Sequence, residues 1–165
     1  MESRLSNTIT IHFLGVDSNE RFSKAVGKYW KSRAKQDPFP IVHVTAQIEN
    51  LNYQYVSDWG LQVTKYVPSP QTIISYLLMP HVVPDGLLGR ISSAKEIYSQ
   101  QQEIDYIRLD SKWCTDVLYY ILFAEQVHRA PPYAMLLDLA DRNWGRFILP
   151  KNNTVLINKL FRDNG

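Results

Sequence analysis

Val117-Leu118-Tyr119-Tyr120-Ile121-Leu122-Phe123 is the stretch on which the layering of this chain turns. Seven consecutive apolar or aromatic residues fit either a buried helix or a strand covered on both faces, and periodicity does not separate the two. The run is short, β-branched and aromatic, which favours a central strand. It is also far below the roughly 20 residues of a membrane-spanning helix. The chain is therefore expected to be soluble, or at most peripheral to a membrane.

Downstream of that run, Pro131 and Pro132 open a helix at the positions where a missing N–H costs nothing. Tyr133, Leu136, Leu137, Ala140 and Trp144 follow at i, i+3, i+4, i+7 and i+11 as an apolar stripe, and Gly145 suits the residue just past the end. Residues 147–149 and 154–160 flank Lys151-Asn152-Asn153 and read as a terminal hairpin. Upstream, residues 104–109 suit an edge strand, 92–103 a loop or short exposed helix, and 80–89 a loop. Pro68, Pro70, Pro80 and Pro84 cut the middle into short pieces, with strands expected at 61–67 and 72–79.

Nearest the N-terminus the patterns are clearest. Ile9, Ile11 and Phe13 alternate with Thr8, Thr10 and His12, a half-buried strand over 8–16. Asp17 and Ser18 offer an N-cap, and Phe22, Val26, Tyr29 and Trp30 mark one face of a helix. That helix ends near Gln36, because Pro38 and Pro40 forbid continuation, and residues 41–48 make the next strand. The order implies an α+β fold: one domain over 1–165, a mainly antiparallel sheet, two principal helices and a C-terminal hairpin.

Composition agrees with an ordinary globular chain of 165 residues, rich in Tyr (ten), Phe (six) and Trp (four), long enough to bury a core without a disulfide or a metal. The single cysteine, Cys114, permits no intrachain disulfide and suits a reducing compartment. Asn7, Thr8, Thr10 and His12 interrupt any apolar signal-peptide core.

Catalytic motifs are sparse. The seven glycines form no phosphate-binding loop, and His12, His43, His81 and His128 lack metal-ligand spacing. His12 and His43, inside expected strands, read as hydrogen-bonded structural histidines. Cys114 carries no nucleophile signature. Glu103, Asp105, Asp110 and Asp116 are an acidic group that either holds Mg²⁺ or merely decorates strand ends and turns. Asp138 and Asp141 are expected on the solvated face of the second helix. No enzyme class, cofactor or metal is expected.

Charge carries more information. The formal net charge is +2, yet residues 1–36 hold seven cations against three acids, and the remainder 11 cations against 13 acids. At 100° per residue, Arg21, Lys24, Lys28, Lys31 and Lys35 share an arc of roughly 80° on the first helix. No acid lies between Arg21 and Gln36. Such an arc is either a solvated face or a surface for phosphate groups. Each cation is worth about 1 kcal/mol near an anionic membrane, and on nucleic acid it adds salt-dependent, sequence-neutral affinity. The charge pattern does not separate these partners.

The order of elements resembles the core of the rhabdovirus matrix proteins. The likeness rests on Asn19-Glu20-Arg21-Phe22-Ser23-Lys24-Ala25-Val26 running into Tyr29-Trp30, on Pro38-Phe39, on Leu77-Leu78-Met79-Pro80-His81 before a proline-bearing loop, and on the aromatic-anchored C-terminal helix and hairpin. It spans most of the chain through residue type, without a diagnostic motif. The resemblance implies a structural protein of the virion. Such a protein self-associates, links the viral nucleoprotein–RNA complex to the inner face of the envelope, and works beneath that envelope and at host membranes during assembly and budding. Arg21, Lys24, Lys28, Lys31 and Lys35 would then be its contact with anionic membrane or nucleocapsid. Self-association would use sheet edges or the proline-bearing loops between Pro68 and Pro84. The animal-virus members carry a long lysine-rich N-terminal arm with a Pro-Pro-x-Tyr motif; the short lead-in to the strand over 8–16 would be expected of a plant-infecting member. Ala130-Pro131-Pro132-Tyr133 has the wrong spacing for that motif, and Tyr133-Ala134-Met135-Leu136, a Tyr-x-x-Leu match, reads as core. A nucleic-acid-binding module is the alternative, followed by a metal-dependent enzyme using Asp105, Asp110 and Asp116.

Overall fold

The computed structural model describes residues 8–15, 41–56, 60–97, 114–127 and 130–149. The expected helix over 17–36, the edge strand over 104–109 and the second hairpin strand over 154–160 lie outside them. Six strands form one sheet: β1 (Ile9–Gly15), β2 (Ile41–Ile48), β3 (Leu51–Val56), β4 (Gly60–Lys65), β5 (Thr72–Leu78) and β6 (Gly145–Ile148). Their order is β4-β3-β2-β1-β5-β6, and every neighbouring pair is antiparallel. Among the described residues three α-helices accompany it: α1 (Leu87–Ile97), α2 (Cys114–Phe123) and α3 (Pro132–Arg142). The fold is α+β.

Alternation puts Ile9, Ile11 and Phe13 of β1 on the same face as Val44, Ala46 and Ile48 of β2 and Ile74, Tyr76 and Leu78 of β5, all buried. Helices α2 and α3 lie against β2, and α1 against β4, so this face holds the core. Phe13, Val44 and Ala46 have no exposed surface left.

The decisive run is a helix, which corrects the strand expected over 117–123. Every residue of α2 except Cys114 and Tyr120 is buried, so the helix shows no polar face and hides its period. Asp116 sits in its first turn, where a carboxylate favours the positive end of the helix dipole, and its Oδ1 also accepts the Ala130 N–H at 3.2 Å. The Thr115 hydroxyl donates to the Ala130 carbonyl. At the other end Ala124 takes the left-handed conformation (φ 55°), a stop usually given to glycine.

Other corrections follow from packing. Strand β3 has no counterpart among the expected elements, although its buried Tyr53 and Tyr55 alternate with the less buried Asn52, Gln54 and Val56. Its turn is Glu49-Asn50, with Glu49 at φ 54°. Helix α1 begins at Leu87, earlier than the segment expected, and buries Leu87, Ile91 and Ala94. Of the α-helices among the described residues, α3 matches one of the two principal helices expected, and α1 and α2 are additional to them. In α3 the buried residues are Pro132, Tyr133, Met135, Leu136 and Leu139, while Leu137 is 44% exposed and Ala140 is exposed. The stripe is thus rotated from the expected one. Asn143, at φ 56°, ends this helix; Gly145 instead opens β6, where a Cβ would run into the Leu77 carbonyl.

Arg142 ties α3 to the end of α2. Its guanidinium grips Glu125 at 2.5 and 2.8 Å, reaches Asp138 through Nε at 3.0 Å, and lies 4.6 Å over the Trp144 ring. Tyr119 donates its hydroxyl to Asp138 at 2.5 Å, so Asp138 is a half-buried partner in this knot, while Asp141 is exposed as expected. Burial, and then the Asp138 carboxylate, push the Tyr119 phenol well above its ordinary range.

Residues 66–71 connect β4, at one side of the sheet, to β5 beyond β1. The link leaves the end of the sheet that holds Ile9 and joins β5 at the end that holds Gly15. It therefore crosses the face opposite the helices as a diagonal strap. Tyr66 bonds through its N–H to Asn50 O at 2.7 Å and stacks its ring on His12, centroids 4.9 Å apart. Ser69, Pro70 and Gln71 then turn the chain into β5, with Thr72 N–H donating to Ser69 O and Gly15 N–H to Gln71 O.

Candidate functional site

Two places on the described structure gather functional groups: the strapped face of the sheet and the loop between β5 and α1. On the strapped face, His12, Ser75 and Gln47 come from three adjacent strands. Gln47 Nε2 donates to Glu49 O at 2.8 Å, which turns its Oε1 toward His12 Nε2 at 2.9 Å. That nitrogen therefore carries the proton, and Nδ1 accepts from the Ser75 hydroxyl at 2.7 Å. His43 Nε2 meets Gln54 Oε1 at 2.9 Å in the same way. Burial lowers the pKa of both imidazoles from the ordinary 6.5, against a smaller opposing pull from the glutamines. Both are satisfied structural histidines, as the sequence reading expects.

A hydroxyl bonded to a neutral imidazole is half of a nucleophile-activating device. Here Ser75 lies mid-strand, opposite His12 of β1 on one side and Ile148 of β6 on the other. The backbone around it is engaged in the two ladders, so it does not aim paired N–H groups at an oxyanion above Ser75. The arrangement holds three strands together.

The other sequence candidates divide sharply. Arg21, Lys24, Lys28, Lys31 and Lys35 lie outside the described residues, as do Glu103, Asp105, Asp110 and His128. Asp116 is 2% exposed and occupied with Ala130. Burial pushes the Cys114 thiol up to about 12, which keeps it protonated and unreactive at neutral pH. Tyr133 and Leu136 of the Tyr-x-x-Leu match are core residues, 5% and 3% exposed.

The loop after β5 has a different character. Pro80–Val82 form one 3-10 turn that buries none of its residues. Val82 and Val83 rest against the core, while Met79, Pro80, Pro84 and, at the start of α1, Leu88 face outward. Leu88 is 71% exposed. Arg90 fixes this loop from beneath: Nε donates to Ile121 O at 2.8 Å, and the two terminal nitrogens donate to Asp85 O at 2.6 Å and Pro84 O at 2.8 Å. Gly86, at φ 93°, lets the chain turn back so that its own carbonyl accepts the Arg90 N–H at 2.9 Å. The result is an ordered loop with apolar side chains on the outside. Sequence reasoning marked it only as a loop, because the arginine that orders it reaches a carbonyl 31 residues away.

The chain matches no protein-family model, no curated protein and no solved structure.

Proposed function

We propose that this chain is an assembly protein of the rhabdovirus-matrix kind, which self-associates and links a nucleoprotein–RNA complex to the inner face of an envelope membrane. The observation that supports the reading is the clamped loop after β5, from which Met79, Pro80, Pro84 and the neighbouring Leu88 of α1 face outward. Apolar side chains held outward by a rigid backbone suit contact with another protein, here a second copy of the chain. The basic arc of Arg21, Lys24, Lys28, Lys31 and Lys35 supplies the anionic contact on this reading. The burial of Asp116 counts against the metal-dependent enzyme.

Sedimentation over a range of concentrations, with and without anionic liposomes, tests the proposal. Association that grows with concentration, together with liposome binding, supports it. A protein that stays monomeric and ignores anionic lipid and RNA refutes it. Replacing Lys24, Lys28 and Lys31 by Glu abolishes liposome and RNA binding on this reading. RNA binding that collapses with salt, without liposome binding, favours the nucleic-acid module instead.

A further inference from the structure

We propose that residues 66–71 are an acid-released strap: a proton taken up by His12 unseats Tyr66 and lifts this segment from the polar face of the sheet. Both nitrogens of the His12 ring are occupied. Nε2 donates to Gln47 Oε1, which is held in place because Gln47 Nε2 donates to Glu49 O, and Nδ1 accepts the Ser75 hydroxyl. A second proton can go only to Nδ1. The Ser75 hydroxyl must then turn to accept, and its own proton loses its acceptor. The new charge finds no counter-ion, because neither the six strands nor residues 66–71 contain an acidic residue. Among the described residues on this face, β2 brings the ionisable His43 and the strap Tyr66, β5 brings none, and Arg146 of β6, opposite Leu77, is a further cation. Glu49, in the β2–β3 turn, lends its backbone carbonyl; burial and then the Glu49 carboxylate raise the pKa of Tyr53, a core residue of the opposite face. A buried charge without a partner is relieved by water, and the Tyr66 ring, stacked at 4.9 Å and 11°, covers one side of the imidazole. The strap itself meets solvent: Val67 is 72% exposed and Pro68 and Pro70 are exposed, so little apolar burial is lost when it lifts. Burial already holds the His12 pKa below its ordinary 6.5, against the pull of the Gln47 hydrogen bond. The open form, with water at the ring, therefore binds the proton more tightly than the closed one. Its population grows by up to about tenfold for each pH unit below 6.5, until the closed form is itself protonated. Stacking of an imidazolium on the phenol opposes release, but it does not offset the lost hydration of the charge.

Amide hydrogen exchange on the full chain between pH 7 and 5, expressed as protection relative to an unfolded chain at each pH, tests the strap. The Tyr66 N–H, bonded to Asn50 O at 2.7 Å, reports its opening, and the Phe13 N–H of β1, between two ladders, reports global unfolding. Tyr66 protection is expected to fall by up to about tenfold per pH unit below 6.5, with Phe13 more strongly protected at every pH. Equal protection at the two amides throughout would mean that the strap opens only with the whole fold, and would overturn the proposal. Tyr66 protection that ignores pH would overturn it too. His12→Gln is expected to remove the pH dependence at Tyr66; dependence that survives, carried by His43 or another group, refutes His12 as the trigger. Linkage requires the converse effect. In Tyr66→Ala the His12 ring, followed by its NMR signals, is expected to titrate at a higher pH than in the parent, toward 6.5. An unchanged His12 titration in that variant sinks the proposal, and this arm decides the matter should His12→Gln fail to fold.

Discussion

The two faces of the sheet hold the molecule together by different physics. On one, Ile9, Ile11, Phe13, Val44 and Ala46 lie under helices with almost no exposed surface. On the other, Thr10, His12, Thr45, Gln47, Gln54 and Ser75 are all neutral polar groups, several bonded across strands, with Tyr66 of the strap laid over His12. The first face depends on volume and tolerates any apolar shape that fills it. The second depends on direction, since each buried donor needs its acceptor. Substitutions should therefore obey different rules on the two sides.

The largest effect is expected on the apolar face. Phe13→Ala should cost about 3–5 kcal/mol, the range for an aromatic removed from a close-packed core, read as a lowered denaturant midpoint. A loss below about 1 kcal/mol would show that the helices do not pack closely there.

On the polar face, His12→Leu should cost about 1–3 kcal/mol by stranding the Ser75 hydroxyl and the Gln47 amide. Adding Ser75→Ala and Gln47→Leu removes the stranded groups too and should recover a large part of that loss. Simple additivity of the three would mean that hydrogen-bond pairing is not what stabilises this side.

Acidification separates the faces without mutation. Both histidines have folded-state pKa values below 6.5, so the unfolded chain binds more protons in that window and stability falls as pH drops through 6.5 toward the folded-state values. Each contributes a slope of at most about 1.4 kcal/mol per pH unit. Measured between pH 7 and 5, the slope should flatten in His12→Gln and His43→Gln and persist in Phe13→Leu. An unchanged slope in both glutamine variants would contradict the burial assigned to the imidazoles.

The smallest effect has the opposite sign. Asn52 Oδ1 is buried without a hydrogen-bond partner among the described residues, so Asn52→Val should raise stability by about 0.5–1 kcal/mol through lost desolvation and better strand propensity. A destabilised variant would mean that a donor serves that oxygen in solution.

The sheet was legible where one side of a strand differs from the other. β1 and β2 announce themselves because their inward and outward residues differ in polarity. α2 does not, since core surrounds nearly all of it and its Val, Tyr and Ile content imitates a central strand. The turn into β3 and the end of α2 are hidden because Glu49 and Ala124 fill left-handed positions that glycine or asparagine usually marks. The Arg90 clamp could not be read from the chain, for it joins a side chain to main-chain oxygens, and those leave no trace in residue type. The basic arc was read from spacing alone, and its five residues fall outside the described part.

The strap has one consequence of pure geometry. Between the end of β4 and the start of β5 the chain must cross four strand spacings and about five residues of strand length, about 25 Å if the sheet were flat. Four extended steps and the Ser69–Thr72 turn reach only about 21 Å. The link is too short for a flat sheet, so it acts as a tie-rod that keeps the sheet coiled. Open sheet edges stack most readily when they are flat, and a tie of this length withholds that shape from the chain.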